Sequence, residues 1–261
     1  MLKKKSYNAE QIKGFWVGLM DGDGSIQVNH WRCKVLQYRM VIKLKAHPKN
    51  EEMLESIKKV IGGKVTFVFS KKQFKNPSFI LWVENHQRNI SKLLQILETY
   101  PPLSTRLQMQ IAFVKACQKQ EPGCRVSWML KNRTEKYKFA KSLLQAENKV
   151  QLLSDLPYWK VWCSGFIEAE GCFCLRSNGS FSFSIGQKND AYLCLALRDT
   201  FKGSNQIRLL KDNFYLWEVY RKSVLCSIIR HLENFPLLGE KVESFSVFAD
   251  AYWTLHPRGT W

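Results

Sequence analysis

Two stretches of the chain place apolar residues at helical spacing. The first follows a capping-box pattern formed by Asn8 and Gln11, and its apolar positions continue to Leu19. In the second, Asp155 shortly before Pro157 is typical of a helix start, and aromatic residues continue the apolar face. We therefore expect a helix in each stretch.

Each predicted helix is followed by runs in which polar and apolar residues alternate, as in strands with one buried face. In the first half such runs cover 25–29, 39–45 and 64–70, with a fourth near 78–84. A helix interrupts these runs, another near 104–118 closes the half, and the order repeats from 171 to about 253. The pattern predicts an α/β (α+β) fold, a pseudo-two-fold repeat of αββαββα halves.

One short pattern occurs in both halves: glycine, two apolar residues, acid, small residue, acid, glycine. It spans 18–24 and 165–171, so its last acids, Asp23 and Glu170, are 147 positions apart, about half the chain length. This spacing indicates two similar halves related by an approximate two-fold axis. We expect an N-terminal half at 1–118, a linker at 119–154 with a helix near 134–148, and a C-terminal half at 155–261.

Small residues recur every four positions along both predicted helices. They are Gly14, Gly18 and Gly22 in the first helix, and Gly165 and Ala169 in the second. Such stripes let two helices approach backbone to backbone. The final glycines, Gly24 and Gly171, suit the left-handed conformation that ends many helices, and we expect it there.

The second acid of each pattern, Asp23 or Glu170, is predicted in the last helical turn, where the helix dipole disfavours negative charge. If the helices cross at their small residues, the two carboxylates also repel each other. Divalent cations between them would compensate, and carboxylate oxygens with water and a substrate phosphate suit Mg²⁺. We interpret the first acids, Asp21 and Glu168, as structural caps or partners at the helix ends.

The chain carries a formal net charge of +18, which argues for a polyanionic partner. Residues 1–150 hold 28 basic and 11 acidic residues, whereas 151–261 hold 12 and 11, so the first half should supply most of the phosphate attraction. The eight cysteines include no Cys-x-x-Cys pair, which favours free thiols in a reducing compartment. No secretory signal or membrane span is evident, so we expect no membrane partner.

The polar faces of the predicted strands carry side chains that can contact base edges in the major groove. We assign DNA binding to Gln27, Asn29, Arg39, Lys43, Lys45, Lys64, Thr66, Arg176, Asn178, Ser182, Ser184, Gln206 and Arg208. The alternative is a solvated sheet face with no ligand. For the strands near 78–84 and 213–219, the sequence leaves open which side faces DNA.

The repeated pattern resembles a known pair of motifs. Residues 16–24 (WVGLMDGDG) and 163–171 (CSGFIEAEG) look like the two motifs of a single-chain LAGLIDADG homing endonuclease. The resemblance extends over nearly the whole chain, because residues 79–82 correspond to 214–217 and residues 100–106 to 235–241. It implies two curved antiparallel sheets that form a DNA-binding saddle, with the motif helices packed at the centre.

The resemblance also implies roles for individual residues. The last motif acids, Asp23 and Glu170, would bind the catalytic metals together with the carbonyl groups of Gly22 and Ala169. Arg106 and Lys241 would organise the cleft, although lysine is usual in the family where this chain has Arg106. Gln187 resembles a glutamine of the family's solvent network, with His47 as its rough counterpart.

The function implied is Mg²⁺-dependent, site-specific cleavage of double-stranded DNA at a long asymmetric target, leaving short 3′ overhangs. The resemblance further implies a monomer encoded in an organelle, mitochondrion or chloroplast. Two alternatives use the same fold: an RNA maturase that binds its host intron RNA, and a DNA-binding regulator that does not cut. Because binding alone has no use for two opposed acids, the pair favours cleavage. The five histidines form no motif, which disfavours a histidine nuclease.

Overall fold

The computed structural model describes residues 6–70, 73–134, 153–176 and 179–258. The first half contains α1 (Ala9–Asp23), β1 (Gly24–Trp31), β2 (Val35–Lys45), α2 (Pro48–Ile61), β3 (Lys64–Ser70), β4 (Gln73–Glu84), α3 (Gln87–Thr99) and α4 (Thr105–Lys119). A 3₁₀ turn (Pro122–Cys124) and α5 (Arg125–Asn132) follow it. The second half contains α6 (Trp159–Glu170), β5 (Cys172–Leu175), β6 (Phe181–Lys188), α7 (Ala191–Thr200), β7 (Arg208–Leu209), β8 (Phe214–Val219), α8 (Lys222–Asn234) and α9 (Lys241–Leu255).

The strands form two four-stranded antiparallel sheets of the same topology. Their orders are β1-β2-β4-β3 and β5-β6-β8-β7, which confirms the predicted α+β repeat. Each half has one helix more than the αββαββα formula, since α3 and α8 precede the closing helices. The linker helix predicted near 134–148 lies at positions outside the described residues, apart from its first.

Two predictions about the starts of the motif helices have different outcomes. The capping box is confirmed, because Asn8 Oδ1 accepts from the Gln11 backbone at 2.9 Å and Gln11 Oε1 accepts from the Asn8 backbone at 3.0 Å. The start predicted at Asp155 is wrong, since α6 begins at Trp159. Two turns, closed by backbone bonds from Leu156 to Leu153 and from Trp159 to Leu156, precede the helix.

The glycines that end the motif helices are extended rather than left-handed. Gly24 has φ −80° and Gly171 has φ −70°, which corrects the prediction for both. A Cβ on Gly24 would lie 2.6 Å from Met20 Cα, and one on Gly171 would lie 2.8 Å from the Ile167 carbonyl oxygen. Glycine is needed here because the chain passes directly from helix to strand against the last helical turn.

The small residues of α1 and α6 form the contact between the halves, as predicted. A Cβ on Gly18 would overlap the Trp162 carbonyl oxygen, and one on Gly165 would overlap that of Phe15. A tyrosine just before each of these helices adds a hydrogen bond to the other half. Tyr7 donates to the Pro236 carbonyl at 3.0 Å, and Tyr158 donates to the Pro101 carbonyl at 2.6 Å.

The helices cover one face of each sheet and bury its apolar side chains. Ile26, Met40, Ile42 and Trp82 lie in the core beneath the first sheet, and Phe183, Ile185 and Trp217 occupy the same layer in the second. The other face of each sheet, called the open face below, carries the alternate residues. Within the described parts of the chain, no helix has the length and apolar character needed to cross a membrane.

Candidate active site

Asp23 and Glu170 are the last residues of α1 and α6, which end side by side. A Cβ on Gly22 would lie 3.2 Å from Glu170 Cγ and 3.3 Å from its Oε1, so the Glu170 carboxylate rests against the end of α1. The close approach at the small residues, with Gly22 opposite Ala169, brings the two acids together. The structure therefore gathers all four residues that were predicted to hold metal.

Both acids resist ionisation. The pKa of Asp23 is raised to about 6, chiefly by burial and also by the nearby Glu170 charge, against opposing contributions from Lys241 and Arg106. Burial also raises the pKa of Glu170, while the same two cations lower it. The basic residues therefore compensate the negative pair only in part.

Asp21 and Glu168 have the structural role that was predicted. Asp21 is fully buried and accepts hydrogen bonds from the backbone of Leu103 and Ser104, at 2.8 and 2.9 Å, and from the Trp162 indole at 2.7 Å. Burial nevertheless raises its pKa. Glu168 likewise accepts from backbone groups at 238, 239 and 241. The two acids thus tie the starts of α4 and α9 to the motif helices.

Those two starts carry the predicted basic residues. Arg106 donates to the carbonyl of Gly24, and also to those of Asp21 at 2.8 Å and Gly22 at 2.9 Å. Lys241 donates to the Gly171 carbonyl, which corresponds to that of Gly24 in the repeat. A positive charge at the C-terminal end of each motif helix is favourable, because the last carbonyl groups have no partners within the helix and carry partial negative charge. Arg106 additionally binds a carbonyl predicted to contact metal.

Gln187 reaches across from the second half. Its side-chain amide donates to the Asp21 carbonyl at 3.3 Å, next to the motif acids. The strand register makes Leu44 its counterpart, because Gln187 pairs with Tyr215 while Leu44 pairs with the corresponding Ile80. The assignment of His47 as counterpart is therefore wrong. His47 instead precedes α2 and caps its first turn.

The donor set fits a hard divalent cation. Two carboxylates and the carbonyl oxygens of Gly22 and Ala169 are oxygen ligands of the type that Mg²⁺ prefers. Among the described residues, no group of three or more His, Cys, Asp or Glu side chains is placed to hold a metal. A cation bound here would therefore need water or substrate oxygens to complete its coordination.

The open face of the first sheet carries the residues assigned to DNA. Gln27 pairs with Arg39, and Lys43 and Thr66 both pair with Leu81, so paired residues project from the same face. The remaining members are Asn29, Lys45 and Lys64. For the strands near 78–84 and 213–219, the sequence did not decide which side faces DNA. The structure places Phe79, Leu81 and Val83 on the open face of the first sheet, and Phe214, Leu216 and Glu218 on that of the second.

The second sheet departs more from expectation. Ser184 and Arg208 lie on its open face, but Ser182, which pairs with Cys174 on β5, is buried and does not offer its hydroxyl to a ligand as assigned. Arg176 follows β5, and Gln206 is exposed in the loop before β7. Asn178 lies outside the described residues.

Glu218 is an open-face residue that the sequence analysis missed. Its Oε2 lies 2.6 Å from Arg208 Nη2, and its Oε1 lies 3.9 Å from Arg176 Nη2. The alternation from 214 to 219, with Trp217 and Val219 in the core, was the signal that could have identified it.

Comparisons with known proteins agree on one family. A family model described as LAGLIDADG endonuclease matches residues 16–117 and 163–252. The chain is 39% identical over 252 residues to a probable intron-encoded endonuclease aI3 of Dictyostelium citrinum, covering 96% of this chain and 99% of that protein. A relative of the same description from Debaryomyces hansenii is 39% identical over 267 residues, covering 92% of this chain and 38% of that protein.

Solved structures show the same fold. The LAGLIDADG meganuclease I-AabMI, crystallised with uncleaved DNA, superposes with a TM-score of 0.66 at 20% identity, covering 93% of this chain and 91% of its own. The homing endonuclease I-GzeII, in complex with its DNA target, gives a TM-score of 0.65 at 17% identity, covering 96% and 91%.

Proposed function

The chain belongs to the LAGLIDADG endonuclease family, and on that premise we propose that it cuts double-stranded DNA at a specific, long and asymmetric target. The observation that carries this proposal is the pair formed by Asp23 and Glu170, whose pKa values are raised where the two motif helices end. Relatives of the chain are described as intron-encoded endonucleases. Related folds have been crystallised with DNA.

The family generally uses divalent metals, and we propose Mg²⁺ held by Asp23, Glu170 and the carbonyl groups of Gly22 and Ala169. When bound, such ions activate water and stabilise the leaving oxygen. Arg106 and Lys241 hold the ends of the motif helices and lower the charge that the acids present to a phosphate. Arginine side chains do not serve as proton donors near neutral pH, so Arg106 acts by position and charge. Because the other half has Lys241 at the equivalent position, we expect the two DNA strands to be cut at unequal rates.

The two open faces supply different residues to the two ends of a target. A strand spans about 17–20 Å, so two sheets end to end cover roughly 40 Å, or about a dozen base pairs. We propose that the sheets curve around the duplex, that the cuts leave short 3′ overhangs, and that the protein acts as a monomer with halves at 1–118 and 155–261. We propose that the protein is expressed in an organelle, because its relatives are described as probable intron-encoded aI3 endonucleases.

An intron RNA maturase is the second candidate. Lys59, Lys92 and Lys119 are exposed on α2, α3 and α4, away from the open faces, so they offer positive charge that DNA on the open faces would not contact. The opposed acids have no role in such binding. Cleavage therefore remains the primary proposal, and both activities can coexist in one chain.

A cleavage selection tests the proposal. Purified protein is incubated with a randomised or organelle-derived duplex library in Mg²⁺, and separately in Ca²⁺, and the cut ends are sequenced. We expect unique ends with short 3′ overhangs in Mg²⁺ only. Absence of cutting, together with tight binding to structured intron RNA in a parallel assay, would favour the maturase instead.

A further inference from the structure

Four side chains form a cluster on the open face of the second sheet: Glu218, Arg176, Arg208 and Tyr220. The Glu218 carboxylate contacts Arg208 through one oxygen and faces Arg176 with the other. Arg176 donates to the Tyr220 hydroxyl at 3.2 Å, and its guanidinium lies 5.3 Å from the Tyr220 ring centre. A hydrogen bond with Glu218 raises the pKa of the Tyr220 phenol. Glu218 therefore contacts or faces every other member.

The geometry leaves the arginines available to a ligand. The Arg176 and Arg208 side chains are 49% and 55% exposed, whereas that of Glu218 is 22% exposed. The carboxylate is thus the recessed member, and the two guanidinium groups extend above it. A guanidinium has five N–H donors, so an arginine that binds Glu218 with one edge can still offer two donors to a base.

The first sheet has no carboxylate at the corresponding position. The residue that corresponds to Glu218 is Val83, since each lies directly after the paired Trp82 or Trp217. In the first sheet, Lys43 Nζ lies 3.9 Å from the ring centre of Phe79. The ring carries no negative charge, so this contact does not neutralise the lysine. The two sheets therefore present their cations differently. The open-face cations of the first sheet have no central carboxylate beside them, whereas those of the second sheet are paired with Glu218.

We propose that Glu218 is a positioning residue for target recognition, holding Arg176 and Arg208 in fixed orientations toward base edges and away from phosphates. The proposal rests on the proposed function, because it assigns a task within DNA recognition. An arginine that turns toward a phosphate must leave its carboxylate partner, whereas one that binds a guanine edge from its fixed position need not. Glu218 thereby lowers affinity for unrelated DNA more than affinity for the target.

The test compares Glu218→Gln with the wild type and with Asp250→Asn. Asp250 is exposed on α9, on the side of the sheet away from the open face, so its variant makes the same change in net charge elsewhere. Binding is measured in Ca²⁺ by fluorescence anisotropy at several salt concentrations. The probes are the target duplex from the cleavage selection and a scrambled duplex of equal length.

We expect Glu218→Gln to bind the scrambled duplex about two- to fivefold more tightly, as expected for loss of exposed ion pairs. The slope of log affinity against log salt should steepen by about one to two, because two arginines become free to contact phosphates. The preference for target over scrambled DNA should fall, and Asp250→Asn should match the wild type.

Equal salt slopes and preferences for Glu218→Gln and Asp250→Asn would overturn the positioning role. A changed preference for target over scrambled DNA with an unchanged salt slope would also overturn it, since Glu218 would then act on target contacts without restraining the arginines from phosphates. A cleavage selection that yields no cut site would instead overturn the proposed function, while the salt slopes on the scrambled duplex would still test the positioning role. The two failures are therefore distinguishable.

Discussion

Asp23 is the residue whose ionisation is most informative without any DNA. Its pKa is raised from 3.8 in a free side chain to about 6 in the folded protein. The folded state therefore binds this proton more tightly than the unfolded chain does. In the absence of metal, the free energy of unfolding should decrease as pH rises from about 4 to about 6 and stay lower above it.

Replacing Asp23→Asn removes this titration. Without metal at pH 8, we expect the variant to melt about 2–4 °C above the wild type, corresponding to about 1 kcal/mol in a chain of this size after allowance for solvent screening. The difference should vanish below about pH 3, where Asp23 is protonated in the folded and the unfolded state alike. Calorimetry in EDTA measures it, with Asp250→Asn as control. A wild type that is equally stable or more stable at pH 8 would contradict the assignment.

Single residues divide into those that the sequence could identify and those that it could not. The repeated motif identified Asp23 and Glu170 because their spacing repeats at half-length. It could not show that Gly24 is extended, since a glycine after a helix fits either conformation. The alternation from 214 to 219 could have identified Glu218, but its arginine partners and the counterpart of Gln187 depended on strand register, which is set by packing between distant strands.

At the scale of elements, the crossing of α1 and α6 positions the whole site. A Cβ on Gly18 would lie 2.9 Å from the Phe166 backbone nitrogen and would overlap the Trp162 carbonyl oxygen, and neither backbone group can move away cheaply. The distance between the helices therefore depends on this glycine. The same distance sets the separation of the two carboxylates.

Gly18→Ala should accordingly destabilise the protein by about 1–3 kcal/mol or more. Gly123→Ala is the matched control, because a Cβ there would have nothing within 4 Å. Urea unfolding of both variants measures the difference. A Gly18→Ala protein that unfolds at the same urea concentration as the control would show that the crossing tolerates a side chain.

Most strands were predicted because alternation is a local signal, whereas one helix in each half was missed and the start of another was misplaced. The α3 helix has Ile90, Leu93, Leu94 and Leu97 buried at helical spacing, so its signal was present but was not recognised. The start of α6 was misplaced because Asp155 and Pro157 are also typical of turns, and the chain forms turns there.

At the scale of the whole molecule, charge is distributed unevenly between the halves. Residues 1–150 carry a formal +17 and residues 151–261 carry +1. The sequence predicted this asymmetry from composition alone. It could not predict that Glu218 pairs with open-face arginines of the second half, which increases the asymmetry.

Salt dependence of DNA binding tests this distribution. Lys43→Gln with Lys45→Gln should lower the slope of log affinity against log salt by about two, since both lysines can contact phosphates. Arg176→Gln with Arg208→Gln should lower it by less than about one, because these arginines are paired with Glu218. The two double variants are matched, because each removes two positive charges from the open face of its own sheet. Equal reductions would refute the asymmetry.

The central claim is that Asp23 and Glu170 form one metal site that cuts DNA. The most direct test is single-turnover cleavage of the selected target in Mg²⁺ by Asp23→Asn and by Glu170→Gln, with binding of the same duplex measured in parallel. We expect each variant to cut at least about a thousandfold more slowly, the loss of several kcal/mol of transition-state stabilisation, while remaining folded and binding the duplex. A variant that cuts at the wild-type rate, or one that loses folding or binding together with cleavage, would contradict the claim.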